Sequence, residues 1–388
     1  MSRLSRTDRS FFAQWWWTVD RPLLFAFLFL ITFGIAMVAT ASPPVAEHLG
    51  LGPYHFLIRH VIILIPSLAM FFGFSALSAQ MIWRLSTAAF IGSIGALILV
   101  LMIGVEIKGA QRWLHLPGFS LQPSEVVKPS FVIICAWLLM LQKKKNFPGN
   151  AMVAGLYAIV VALLLMQPDL GMTVLITAGW GALIFLAGLQ FRLLFILAGA
   201  GVLGLGGAYM SFDHVHSRIN RFLNPDSGDT YQVDRSLESF QAGGLSGVGP
   251  GQGVVKLKLP DAHADFIFSV AGEEMGLIVL LILIGLYGFI ILRGMNKLIQ
   301  SESLFGVLAG GGLLTVFGLQ AFVHMGSALS VLPAKGMTLP FVSYGGSSLL
   351  STAYGMGVLM ALTRRSKRTA VSKKGLSTQT FARQPSGV

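Results

Sequence analysis

Long apolar stretches separated by shorter polar segments dominate the residue pattern between positions 22 and 363. The hydrocarbon core of a bilayer is about 30 Å thick, so a helix that crosses it needs about 20 mainly apolar residues. Stretches of suitable length begin near Pro22, Phe56, Arg84, Val126, Met152, Leu170, Arg192, Phe266, Leu304 and Leu339. The pattern therefore predicts an all-α, polytopic membrane protein with about ten transmembrane helices.

One polar segment is much longer than the others. Residues 213–263 separate the seventh apolar stretch from the eighth, and they include the irregular, Gly-rich sequence AGGLSGVGPGQG. We therefore divide the chain into an N-terminal tail at 1–21, a membrane domain at 22–363 that contains this large loop, and a C-terminal tail at 364–388. The C-terminal tail is basic and polar, which predicts disorder.

Composition and charge agree with this arrangement and orient it. Hydrophobic residues make up 54% of the chain and charged residues 11%, whereas soluble domains carry about a quarter charged residues. Basic loops stay on the cytoplasmic side of a membrane, and most of the 28 basic residues fall there if both termini are cytoplasmic. The net charge of +12 thus reflects topology, not nucleic-acid binding, and the 213–263 loop is predicted to be extracytoplasmic.

Four polar motifs lie at or near the predicted outer boundary of the membrane. They are KGAQRWLHLPGFSLQPSEVVKPSF at 108–131, QPDLGM at 167–172, LPDAHADFIFSVAGEEMG at 259–276 and LPAKGMTLPFVSYGGSSLLS at 332–351. A charged side chain at membrane depth costs roughly 2.5–3.5 kcal/mol on insertion scales, so such residues indicate function. These motifs are where we expect the chemistry.

Glu125 and Lys128 stand out within the first motif. They are three residues apart and can form an ion pair on one helix face. Such a pair can serve substrate binding, or it can simply neutralise two buried charges, and the two interpretations are compatible.

The four motifs together resemble the SEDS family (shape, elongation, division and sporulation), membrane glycosyltransferases that polymerise peptidoglycan from lipid II. The resemblance runs from about residue 20 to residue 365 and keeps the motifs in order. RWLHLPGFSLQPSEVVK and KGMTLPFVSYGGSS are more similar to the division branch than to the elongation branch. One departure is HMGSALSVLP, where His324 replaces an expected Asn.

The resemblance implies a reaction that needs few groups. A sugar hydroxyl attacks an anomeric carbon, and a lipid diphosphate departs. Because diphosphate is a good leaving group, no carboxylic acid must protonate it, and the two-carboxylate arrangement of glycosidases is not required. One base suffices, together with cations that stabilise the departing charge. Family resemblance places the catalytic base at Asp265 in H-x-D-F; the alternative is an acidic residue favoured by the helix dipole, while Asp261 fits a loop or cap.

The cationic group is less determined by the sequence. Lys128, held by Glu125, is the first candidate, and the predicted substrate-binding residues are Glu125, Lys128, Arg112, Lys256, Lys258, Lys335 and Ser343, with Arg218 and Arg221 as further cations. Glu273 and Glu274 lie deeper than Asp265, and at least one is predicted to be a buried partner for a cation such as Arg59 or for a polar residue on another helix. No cofactor or metal site is evident, and a divalent cation such as Mg²⁺ is the one cofactor this chemistry could use.

The resemblance also implies partners and a location. These are a class B penicillin-binding protein that crosslinks the strands, divisome regulators, the lipid II substrate, and the division septum in the cytoplasmic (inner) membrane. Two other functions suit a polytopic protein with charges in the membrane: a lipid II flippase and a non-catalytic divisome scaffold.

Overall fold

The computed structural model describes residues 10–107, 110–116, 119–145, 147–188, 231–333 and 336–364, together with scattered positions between 189 and 230. The predicted helix from Arg192, the candidate cations Arg218, Arg221 and Lys335, and residues 365–388 of the C-terminal tail lie outside the described residues.

The described chain is almost entirely helical. Its helices are α1 (Phe11–Thr18), α2 (Arg21–His48), α3 (His55–Ala76), α4 (Ala79–Ile103), α5 (Pro123–Lys145), α6 (Gly149–Met166), α7 (Leu170–Leu186), α8 (Tyr231–Gly243), α9 (Ile267–Ile299), α10 (Leu304–Ala328) and α11 (Gly346–Leu362). Among the described residues, seven of these are long and apolar enough to cross a membrane, and α7 and α11 are shorter apolar helices. Every predicted stretch except that from Arg192 contains one of these helices, which confirms an all-α, multi-pass membrane protein.

Several boundaries differ from the predicted ones. α2 extends beyond the first apolar stretch, through Pro43 and Pro44 to His48. The last helix begins at Gly346, and not near Leu339, since the apolar residues before it form turns. The expected N-terminal tail contains α1, whose first turn is capped by the Ser10 hydroxyl accepting from the Ala13 amide at 3.3 Å.

The segment between α4 and α5 contains a small antiparallel sheet. Its strands are β1 (Val105–Ile107), β2 (Ala110–Leu116) and β3 (Phe119–Leu121), in that spatial order. Leu114 pairs with Leu121 across the second strand pair. The pairing satisfies backbone groups that would otherwise need water, and it brings the segment back to the start of α5.

A break at Gly276 divides α9 into two parts. At 1.5 Å per residue a straight 33-residue helix would be about 50 Å long, well beyond the hydrocarbon core. Gly276 has φ 76° and ψ 176°, which separates residues 267–275 from residues 277–299. The second part alone is long enough to span a membrane. The 259–276 motif therefore ends at this break and does not run straight into the transmembrane helix.

The Gly-rich sequence after α8 satisfies the backbone groups that the break exposes. The amides of Leu277 and Ile278 donate to carbonyls in the 244–245 segment at 3.0 and 3.2 Å, and the amides of Val248 and Gly249 donate to the carbonyls of Glu273 and Glu274 at 3.0 and 2.9 Å. This close backbone approach explains why the loop is rich in glycine.

Gly276→Ala is expected to destabilise the protein by about 2 kcal/mol or more, because only glycine adopts this backbone conformation readily. A Cβ there would also lie 2.3 Å from the Gly247 amide nitrogen. Gly285→Ala is the matched control in the same helix, since its Cβ would meet nothing within 4 Å. Thermal unfolding in detergent measures both; equal unfolding temperatures would contradict the account of the break.

The centre of the helical domain is formed by α5 and α10. In their most apolar parts α5 is 78% buried and α10 is 72% buried, whereas the corresponding value for α3 and α6 is 22%. The outer faces of α3 and α6 therefore suit contact with lipid. Polar residues on α5 and α10 consequently point into the protein, and they are the first place to look for a site.

Candidate active site

Asp265 lies in a tight turn immediately before α9. The amides of Ala264 and Asp265 donate to the Asp261 carbonyl at 2.9 and 3.0 Å, and Asp261 has a positive φ of 52°. Phe266 occupies the capping position of α9, so Asp265 is one residue outside the helix. The Asp265 side chain is half-buried, which leaves part of it accessible.

The loop between α10 and α11 packs directly against this turn. The Tyr344 amide donates to the His263 carbonyl at 2.9 Å, and the Ser343 hydroxyl donates to the Ala264 carbonyl at 2.7 Å. A Cβ at Gly336 would lie 3.0 Å from Oδ2 of Asp265. The structure thus brings the KGMTLPFVSYGGSS and H-x-D-F motifs into one site, and the buried Ser343 hydroxyl serves to join them.

His263 lies beside Asp265 but is enclosed by aromatic rings. Its ring centroid is 4.4 Å from that of Phe56 and 5.0 Å from that of Tyr344. Burial lowers the pKa of His263 to about 4, although the Asp261 charge acts in the opposite direction. His263 is therefore neutral at neutral pH, and the carboxylate of Asp265 is the more suitable base at this position.

The predicted ion pair between Glu125 and Lys128 is present on α5. Nζ of Lys128 lies 2.7 Å from Oε2 of Glu125 and donates to Oε1 of Gln320 on α10 at 2.7 Å. Only 3% of the Lys128 side chain is exposed. Gln320 in turn donates to the Thr338 carbonyl at 3.0 Å, so the pair is linked to the same α10–α11 loop that contacts Asp265.

Sequence reasoning missed Gln320. The available signal was a polar side chain within an apolar span, four residues before His324 on the same helix. His324 also holds the loop, because Nδ1 lies 2.5 Å from the Met337 carbonyl oxygen. Gln320 and His324 therefore both hold the α10–α11 loop through contacts with its backbone carbonyls.

A small cavity of about 30 Å³ adjoins the buried pair. Its lining includes Lys128, Gln320, Phe317, Pro340 and Met356, and it is mainly apolar. Substrate binding by Lys128 and Glu125 stays a prediction.

Lys256 is committed to a second buried ion pair. It forms a salt bridge with Glu274, and the two side chains are 4% and 0% exposed. Nζ also donates to the Thr40 carbonyl of α2 at 2.9 Å. The predicted buried cation partner of the acidic pair is thus present, and it is Lys256 in place of Arg59.

Glu273 accepts hydrogen bonds from backbone amides of the large loop. Its carboxylate accepts from the amides of Val254, Val255 and Lys256 at 2.6, 2.7 and 2.9 Å. These amides open a single 3₁₀ turn at Val255–Lys258. Glu273 therefore fixes the end of the large loop onto the first part of α9.

Arg112 attaches the small sheet to the turn between α6 and α7. Its guanidinium donates to the Pro168 carbonyl at 2.5 Å and lies 3.8 Å from Oδ1 of Asp169. Asp169 also caps α7 by accepting from the Met172 amide at 3.2 Å. The QPDLGM motif thus receives a structural explanation, and the predicted substrate contact of Arg112 is untested.

The remaining predicted groups are less constrained. Lys258 is exposed, and its carbonyl accepts from the Tyr231 hydroxyl at 3.0 Å. Among the described residues, no group of three or more His, Cys, Asp or Glu side chains is arranged to hold a metal ion. Any requirement for Mg²⁺ therefore stays a prediction.

Comparison with known proteins agrees with these motifs. Residues 21–368 match the family of FtsW, RodA and SpoVE, described as cell cycle protein. A probable peptidoglycan glycosyltransferase FtsW from Caulobacter vibrioides is 43% identical over 363 residues, covering 93% of each chain. The Coxiella burnetii protein of the same name is 37% identical, covering 89% of this chain and 96% of its own.

Solved structures show the same fold. A peptidoglycan synthase complex that coordinates polymerization and crosslinking contains a chain with a TM-score of 0.74 and 28% identity, covering 89% of this chain and 97% of that one. The rod shape determining protein RodA of Thermus thermophilus has a TM-score of 0.67 and 27% identity, covering 90% and 97%. The chain therefore belongs to the FtsW/RodA/SpoVE family of cell cycle proteins, the SEDS family that its motifs resemble.

Proposed function

We propose that this chain is a peptidoglycan glycosyltransferase that polymerises lipid II at the outer face of the inner membrane, with Asp265 as the general base. The observation that carries this proposal is the half-buried Asp265 carboxylate in a turn held by Ser343 and Tyr344. Relatives at 43% and 37% identity that bear the name peptidoglycan glycosyltransferase support the reaction class.

The geometry suits an inverting displacement. Asp265 accepts the proton of the acceptor hydroxyl, while the oxygen of that hydroxyl forms a bond to the anomeric carbon of the donor sugar. The bond between that carbon and the diphosphate oxygen breaks, and the electron pair leaves with the lipid diphosphate. Cationic side chains stabilise the leaving charge, and a divalent cation such as Mg²⁺ would accompany the diphosphate oxygens.

The same proposal includes a partner and a place. A solved neighbour is part of a complex that coordinates polymerization and crosslinking, and this supports a crosslinking class B penicillin-binding protein as the partner here. The relatives named FtsW favour action at the division septum, together with divisome regulators.

Orientation can be tested by cysteine labelling in a Cys135→Ala background, since Cys135 is buried. With both termini cytoplasmic, Val254→Cys is expected to react with a membrane-impermeant thiol reagent added from outside, because 63% of Val254 is exposed. Glu302→Cys, in the exposed turn between α9 and α10, is expected to react only after the membrane is opened. The reverse pattern would place Asp265 on the wrong side for the proposed reaction.

The function itself is tested with purified lipid II and the purified protein in complex with its crosslinking partner. We expect glycan polymer that can be separated by gel electrophoresis. A flippase would move lipid II across a liposome membrane without making polymer, and a scaffold would do neither. Absence of polymer from a folded, partner-bound protein would contradict the proposal.

A further inference from the structure

Arg59 is a cation in an unusual position. It lies in the first turn of α3, within a helix that is long and apolar enough to span the membrane. The preceding residues of this turn contact the Asp265 segment, since the Phe56 ring packs on His263 at 4.4 Å. Arg59 is thus at the same end of the helical domain as the proposed base, where the positive-inside rule disfavours a basic residue.

The Arg59 side chain lies at the edge of the site. Burial raises the pKa of the Tyr344 hydroxyl, and the nearby Arg59 charge acts in the opposite direction. The Tyr344 ring packs against Phe56 at 5.3 Å and against His60 at 6.1 Å, and its amide donates to the His263 carbonyl at 2.9 Å. Only Ala264 separates His263 from Asp265, so a short chain of contacts places Arg59 near the proposed base.

Arg59, unlike Lys128, Lys256 and Arg112, has no carboxylate partner among the described residues. Lys128 is paired with Glu125, Lys256 with Glu274, and Arg112 with the turn that contains Asp169. Within the part of the chain that the structure describes, Arg59 has no carboxylate at ion-pair distance, and its side chain is exposed.

We propose that Arg59 binds the diphosphate of the lipid-linked substrate, an inference that rests on the function proposed above. A guanidinium presents donors in a planar fork that matches two phosphate oxygens. Its place at the membrane boundary suits a diphosphate whose prenyl chain remains in lipid, and the contact between Phe56 and His263 keeps this end of α3 beside the Asp265 turn. Arg59 therefore stabilises the leaving group.

The test is equilibrium binding of farnesyl diphosphate to the purified protein, with farnesyl monophosphate as the ligand control. Arg59→Gln is expected to weaken diphosphate binding about 10- to 100-fold, as for the loss of hydrogen bonds to a charged group. Arg59→Lys keeps the charge but loses the fork, so a smaller loss is expected. Tyr344→Phe should weaken binding by less than Arg59→Gln, because it leaves the guanidinium in place.

Arg84→Gln is the matched control, since Arg84 is also exposed but lies in the second turn of α4, at the opposite membrane face in the proposed topology. It should bind farnesyl diphosphate like the wild type, and all variants should match the wild type in thermal unfolding. Unchanged diphosphate binding by Arg59→Gln would overturn the proposal, as would equal losses for diphosphate and monophosphate. Because binding is measured without polymerisation, this result is independent of whether the protein makes glycan.

Discussion

Lys256→Met is expected to destabilise the protein by about 3–5 kcal/mol, because removing one partner leaves a buried charge without compensation. The Glu274 side chain is 0% exposed, and its Oε2 has no hydrogen-bond partner among the described residues. The change also removes the donor to the Thr40 carbonyl, so the large loop, α2 and the first part of α9 lose a shared contact.

The double variant Lys256→Met, Glu274→Leu separates this explanation from a general packing defect. Replacing both members of a buried ion pair by apolar residues of similar volume is often neutral or stabilising. We therefore expect the double variant to recover most of the stability lost by Lys256→Met. Chemical or thermal unfolding in detergent measures all three proteins, and a double variant less stable than Lys256→Met would contradict the assignment.

Contacts between residues close in sequence were predictable, and contacts between distant residues were not. Glu125 and Lys128 are one helical turn apart, so their pairing follows from helix geometry. Lys256 and Glu274 are joined only because the Gly-rich loop folds back on α9. The spacing of apolar and polar residues does not predict such a contact. From the sequence alone, Lys256 is therefore a cation available for substrate binding.

The membrane spans followed from hydrophobic length, but their interruptions did not. A glycine inside an apolar run is compatible with a straight helix, and the break at Gly276 depends on the backbone of the 243–249 segment. The residues from Leu339 to Val342 are apolar and buried, and their hydropathy predicts the start of a span. They belong to a packed loop that supports the site.

The strongest expected effect on activity is that of Asp265→Asn. The amide keeps the size of the side chain but cannot accept the proton of the acceptor hydroxyl. General-base catalysis contributes about 10²- to 10⁴-fold in rate, so glycan synthesis should fall by at least that factor. Folding and partner binding should be unchanged, because the half-buried side chain is replaced by one of nearly equal shape.

Asp261→Asn is the matched control for this change. Asp261 lies in the same turn and has a φ of 52°, a left-handed conformation that asparagine tolerates well. The substitution removes a carboxylate four residues before Asp265 and preserves the turn that positions Asp265. We expect the activity of this variant to remain within about tenfold of the wild type, well short of the loss expected for a general base.

The most direct measurement is glycan polymer formed from purified lipid II by wild type, Asp265→Asn and Asp261→Asn, each purified in complex with the crosslinking partner and shown to be folded. The account predicts polymer from wild type and Asp261→Asn, and a rate at least about 10²-fold lower from Asp265→Asn. Polymer made by Asp265→Asn at a near wild-type rate would contradict Asp265 as the base.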